Sequence, residues 1–121
     1  MYRITKEFHF SASHVLEGLP EGHPCGRLHG HNYVVRVELE AEDLDATGFV
    51  LDFGELYVVK QWLDSAVDHR HLNDVWPEMN PTAENIARAL HKTIAALLPR
   101  RARVAAVRVS ETPKTWAEYR V

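Results

Sequence analysis

From Tyr33 onward the chain alternates with a period of two, Tyr33, Val35, Val37 and Leu39 in one phase and Asn32, Val34, Arg36, Glu38 and Glu40 in the other. An extended backbone turns successive side chains to opposite faces, so this alternation predicts a half-buried strand from about Leu28 to Ala41. The N-terminus behaves likewise. Ile4, Phe8, Phe10, Ala12 and His14 share an inward phase against Arg3, Thr5, Glu7, His9, Ser11 and Ser13, predicting a first strand from about Tyr2 to Ser13. Between the two strands, residues 17–24 hold Gly18, Pro20, Gly22 and Pro24, a run of breakers that reads as a loop.

The period then lengthens. Leu56, Val59, Leu63, Ala66 and Val67 recur at helical spacing, and Asp52 with Glu55 three positions on has the spacing of a capping box. A helix is expected from Asp52 to about Val67. Residues 43–48 read as a polar turn, and Asp68 to Asp74 carry no apolar period and read as loop. Asn80-Pro81-Thr82 opens a second helix, with Ile86, Leu90, Ile94, Leu97 and Leu98 as its buried stripe and Pro99 as its stop. Val104 to Glu111 is a third strand, in which Ala105, Val107, Val109 and Glu111 share a phase. Thr112-Pro113-Lys114 turns the chain into a last strand, Thr115 to Val121. This order predicts one α+β domain over residues 1–121, a four-stranded antiparallel sheet with two helices on one face. Such a sheet leaves two edges, and joining the sheets of neighbouring subunits is one way to remove them.

Composition mainly excludes. A chain of 121 residues with 45% hydrophobic positions is long enough to bury a core without staples. With 14 Lys+Arg against 17 Asp+Glu the net charge is −3, and no block of like charges suggests a nucleic-acid or membrane partner. A lone cysteine cannot form an internal disulfide, and no leader-like or membrane-spanning apolar run is present, so a cytoplasmic protein is expected.

The candidate chemistry sits where the strands end. His29 and His31 continue the Tyr33 phase, and His14 ends the inward phase of the first strand. If these strands pair, three imidazoles meet at one end of the sheet, the ligand set of an open catalytic Zn²⁺ site; Fe²⁺ remains an alternative. Cys25 lies four positions before His29, among Pro24, Gly26 and Arg27, which do not make an apolar burial site for a thiol. A nearby cation would lower its pKa and fit it for work as a base or nucleophile. Asp68-His69 reads either as a solvated loop or as an acid–base group; adjacent residues rarely point the same way, so the carboxylate need not bond its neighbour's ring. Glu111 ends an apolar face, where a carboxylate is costly to bury without a donor-rich ligand. His9, His23, His71 and His91 read as structural or surface residues.

Taken together, Phe10-Ser11-Ala12-Ser13-His14, Cys25 to Tyr33, Leu51 to Leu56, Asp68-His69, Leu72-Asn73-Asp74, Asn80 to Asn85 and Ser110-Glu111-Thr112 resemble the 6-pyruvoyl-tetrahydropterin synthase family. The nearest branch is the bacterial 6-carboxy-tetrahydropterin synthases of queuosine biosynthesis, whose Cys-x₃-His-Gly-His spacing this chain shares. The resemblance implies the tunnelling fold, with sheets joined into a barrel by oligomerisation, commonly a hexamer with its sites between subunits. It implies Zn²⁺ on His14, His29 and His31, Cys25 as catalytic base with Asp68 and His69 as its partner dyad, and Glu111 as pterin anchor. Thr82 and Arg27 join Glu111 as candidate substrate contacts, with Arg70 and Lys114 beside Arg27 as candidates for the triphosphate. The implied reaction converts 7,8-dihydroneopterin triphosphate to 6-carboxy-5,6,7,8-tetrahydropterin, acetaldehyde and triphosphate. The alternatives are the pyruvoyl-forming synthase, which stops before carbon–carbon cleavage, and a non-catalytic pterin- or purine-binding module, which has no need of Cys25 or three metal ligands.

Overall fold

The computed structural model describes residues 1–121. Strand β1 (Tyr2–His14) pairs antiparallel with β2 (His29–Ala41) along its whole length, from Tyr2 opposite Ala41 to His14 opposite His29. The inward phases read from the sequence are the buried ones: Phe8, Phe10, Ala12 and His14 on β1 face the same core as Tyr33, Val35, Val37 and Leu39 on β2. Gly30 makes the close approach at the end of this ladder possible. A Cβ there would meet the carbonyl oxygen of Ala12 at 3.1 Å, tighter than ordinary packing allows.

After β2 the expected capping box is only half built. Asp52 accepts a hydrogen bond from the Gly54 amide (2.9 Å), while Glu55 turns away to an ion pair with Arg101 (2.7 Å). The first turn tightens to a 3₁₀ turn over Phe53–Leu56, and helix α1 begins only at Tyr57, running to Ala66. The stretch expected to be loop carries a two-residue strand β3 (Arg70–His71) and a single helical turn α2 (Leu72–Val75). Helix α3 (Ala83–Leu97) follows, capped by the Thr82 side chain on the Asn85 amide. The chain finishes with β4 (Arg103–Ser110) and β5 (Ala117–Arg120).

The sheet order is β3-β1-β2-β4-β5, so the four-stranded antiparallel sheet expected from the sequence is corrected to a mixed five-stranded one. The added strand is parallel, with Arg70 opposite Ala12 and His71 opposite Ser13. Two residues are too few to show a period, and their pairing is long-range, so no local signal announced them. A second correction concerns β4, where the register shifts between Glu38 and Leu39 of β2. Val107 faces Val37 but Val104 faces Leu39, so Val104 joins the main core cluster with Val107 and Val109, and Ala105 is buried outside it.

The helices lay Val59, Leu63, Ile86, Leu90 and Ile94 on one face of the sheet. The opposite face is polar and ion-paired: Glu38, 5% exposed, meets Arg120 at 2.6 Å and Arg3 at 3.4 Å. β5 forms one edge of the sheet, and beyond the two residues of β3 the other edge of β1 carries no strand, so one chain alone does not close a barrel. No helix is long and apolar enough to cross a membrane.

Candidate metal centre and adjoining cavity

Because His14 is the last residue of β1 and His29 the first of β2, the antiparallel register sets them opposite each other. His31, two residues on, returns to the same face. The three imidazoles converge, each offering one nitrogen within 4.8 Å of the others.

The ring nitrogens are sorted by their partners. His14 donates from Nδ1 to the carbonyl of Pro81 (2.8 Å), and His29 donates from Nδ1 to the carbonyl of Arg27 (2.7 Å). In neutral rings both Nε2 atoms are then lone-pair donors to a metal, and they face each other at 2.9 Å. His31 Nε2 is buried with no hydrogen-bond partner at all. Two opposed lone pairs and an orphaned buried nitrogen are unfavourable as they stand and are satisfied together by a cation between them. Burial lowers the pKa of His14 and of His31, which favours the neutral rings that bind metal; the Pro81 bond on His14, and the nearby Glu111 on both, oppose this in part. The donor set therefore fits a metal ion such as Zn²⁺.

Glu111 lies just past the end of β4, about three-quarters buried, with Oε2 3.7 Å from His31 Nε2. That is too long for a hydrogen bond, and the carboxylate instead faces a cavity of about 500 Å³ lined also by Leu16, Thr82, Glu84, Thr115 and Ala117. Metal-type cluster, carboxylate and cavity are thus contiguous.

Asp68 and His69, whose bonding to each other the sequence left open, form a bonded pair. His69 adopts φ 58°, a left-handed conformation, which swings its ring back so that Nδ1 meets Asp68 Oδ2 at 2.9 Å. The pair is tied to β1: the Ser11 amide donates to Asp68 Oδ1 (2.8 Å), and the His69 amide donates to the Ser11 carbonyl (2.6 Å). The Ser11 bond is the main reason the Asp68 pKa is lowered, so the carboxylate stays ionised. The His69 side chain is 82% exposed.

Cys25 sits partly buried in a 3₁₀ turn, Pro24–Gly26, capped by His23, whose Nδ1 accepts from the Cys25 amide (3.1 Å). Neither Cys25 nor the Asp68–His69 pair bonds to the three histidines within one chain. The Arg27 side chain makes no hydrogen bond or ion pair; what the structure uses of Arg27 is its carbonyl, which orients His29. Such backbone contacts, like that of Pro81 on His14, are invisible to residue-type reasoning.

An α+β sheet thus carries three convergent histidines able to hold a metal ion beside a carboxylate-lined cavity. Residues 3–121 match the family model described as 6-pyruvoyl tetrahydropterin synthase, and the chain belongs to that family. It is 30% identical to the 6-carboxy-5,6,7,8-tetrahydropterin synthase of Bacillus subtilis over 98% of this chain and 85% of that protein. It is likewise 30% identical to the enzyme of that name from Rickettsia conorii, covering 98% of this chain and 99% of that one. The structure of Caenorhabditis elegans 6-pyruvoyl tetrahydropterin synthase superposes with a TM-score of 0.87 at 27% identity, over 99% of this chain and 95% of that one.

Proposed function

We propose that this protein is a Zn²⁺-dependent lyase converting 7,8-dihydroneopterin triphosphate and water to 6-carboxy-5,6,7,8-tetrahydropterin, acetaldehyde and triphosphate, a step of queuosine biosynthesis in the cytoplasm. The observation that carries it is the junction of the three-histidine cluster with Glu111 and its cavity, in a chain whose carboxy-forming relatives match over nearly all its length.

His14, His29 and His31 would hold the ion, which when bound supplies Lewis acidity toward substrate hydroxyls. Glu111 accepts the adjacent N–H donors of the pterin's pyrimidine edge, and Thr82, on the same cavity wall, contributes a hydroxyl contact. Arg27, two residues before His29 and without an ion pair, serves the triphosphate. Cys25 takes a carbon-bound proton from the substrate side chain. His69, held by an ionised Asp68, gives and takes protons as triphosphate leaves and the carbon–carbon bond breaks. The exposure of His69 and the open sheet edges support a homo-oligomer, in the family's hexameric form, with the site completed between subunits.

A second reading, the pyruvoyl-forming synthase, is favoured by the likeness to the nematode structure. The two differ in products, so mass analysis of purified protein incubated with 7,8-dihydroneopterin triphosphate decides between them. Acetaldehyde with a carboxypterin supports the lyase; a pyruvoyl pterin without acetaldehyde supports the second reading.

A further inference from the structure

The chain between β1 and the Cys25 turn is held by two asparagine side chains acting as a substitute strand. The Val15 amide donates to Asn73 Oδ1 (2.9 Å), and Asn73 Nδ2 donates back to the Val15 carbonyl (2.8 Å). Two residues on, the Glu17 amide donates to Asn80 Oδ1 (2.9 Å), and Asn80 Nδ2 donates to the Glu17 carbonyl (3.0 Å). A carboxamide carries a donor and an acceptor in one plane, as a peptide unit does, so each reproduces the reciprocal pair that an antiparallel neighbour makes at alternate residues. Val15 and Glu17 thereby keep a strand-like pairing beyond the last residue of β1, although no strand lies alongside.

The residue between the two clamped positions faces the other way. The Leu16 amide donates to the Cys25 carbonyl (3.2 Å), the backbone tie between this segment and the turn that carries the thiol. Asn80 is itself fixed: its carbonyl accepts from the Thr82 amide (2.8 Å) and from Asn85 Nδ2 (2.9 Å), while the next carbonyl, that of Pro81, holds His14. The start of α3 thus sets the orientation of a metal-type ligand and, through Asn80 and Leu16, the place of Cys25.

We infer that Asn73 and Asn80 are positioning residues that fix the Cys25 turn relative to the three-histidine cluster. The inference rests on the proposed role of Cys25, and its test is built to separate the two. Cys25 is the single cysteine, so alkylation by iodoacetamide reports on that thiol alone. In Asn73→Ala and Asn80→Ala, backbone amide exchange at Val15 and Glu17 should accelerate at least tenfold, and the Cys25 alkylation rate should shift severalfold. Zinc content should stay at the level of the unaltered protein, and kcat should fall more than tenfold while KM changes less than about threefold. The isosteric Asn80→Asp keeps the acceptor for the Glu17 amide but sets a charged oxygen against the Glu17 carbonyl. It should therefore protect the Glu17 amide better than alanine does while still shifting the alkylation rate, and it serves if an alanine variant does not fold. Unchanged alkylation and exchange rates would overturn the inference whatever the activity. Shifted rates in a protein with no lyase turnover would uphold the positioning role and refute the proposed reaction instead.

Discussion

His14 Nε2 and His29 Nε2 stand 2.9 Å apart, each on a ring whose other nitrogen donates to a backbone carbonyl. The protein thus aims two lone pairs at one point, and the unpartnered His31 nitrogen is the third. His29→Ala should therefore reduce bound zinc from about one per chain to a small fraction, because two protein ligands are too few to hold the ion. Elemental analysis after dialysis against a weak chelator checks this, and near-stoichiometric zinc in the variant would contradict the ligand set.

Cys25→Ala should leave zinc content and fold intact while lowering turnover roughly 10²- to 10⁴-fold, the range of a general base. The 3₁₀ turn is held by Pro24, the His23 side chain and backbone bonds, none of which uses the sulfur. Steady-state kinetics with metal analysis on the same sample separates this outcome from loss of the metal.

Glu111→Gln replaces an acceptor with a donor where the pterin's N–H edge would sit. Charge-assisted hydrogen bonds are stronger than neutral ones by about 1 kcal/mol or more, so affinity for a non-reactive pterin such as sepiapterin should fall roughly tenfold or more with zinc retained. Glu84→Gln, at the exposed start of α3 on the same cavity, should change it much less. Calorimetric titration reads both, and equal affinities for the unaltered protein and Glu111→Gln would remove Glu111 from the binding site.

Glu38 predicts a pH dependence of stability. The Arg120 bond is the chief cause that lowers its pKa below the ordinary 4.5. A depressed folded-state pKa means the unfolded chain binds the proton more tightly. The contribution is therefore complete above about pH 5 and is lost as pH falls through the folded pKa. In Glu38→Gln, urea midpoints should be lower near pH 7 and should decline less between about pH 5 and pH 3 than in the unaltered protein. Parallel declines would show that Arg120 and Arg3, with Arg108 3.8 Å away, do not stabilise the charge.

What was legible in the sequence was whatever repeats along the chain. Alternation in β1 and β2 located the buried face and, carried to the strand ends, put His14, His29 and His31 at one end of the sheet. Helices with apolar stripes were equally plain. What was not legible depends on single, long-range or backbone contacts. β3 is two residues pairing across 58 positions, and the bulge in β4 moves Val104 inward without any change in residue type. The Asp68–His69 bond needs a positive φ that no neighbouring residue type dictates. Asn73 and Asn80 carry no periodic signal, because their work is done by side-chain amides on backbone remote in sequence.

Product stoichiometry shows whether this site carries a pterin through both triphosphate loss and carbon–carbon cleavage. Purified zinc-loaded protein is given 7,8-dihydroneopterin triphosphate, and acetaldehyde, triphosphate and the pterin product are quantified in one time course. Acetaldehyde and triphosphate should be released in equal amounts with 6-carboxy-5,6,7,8-tetrahydropterin, and none of the three should form from the metal-depleted protein until zinc is restored. Triphosphate released without acetaldehyde, or turnover indifferent to metal removal, would contradict the proposed reaction.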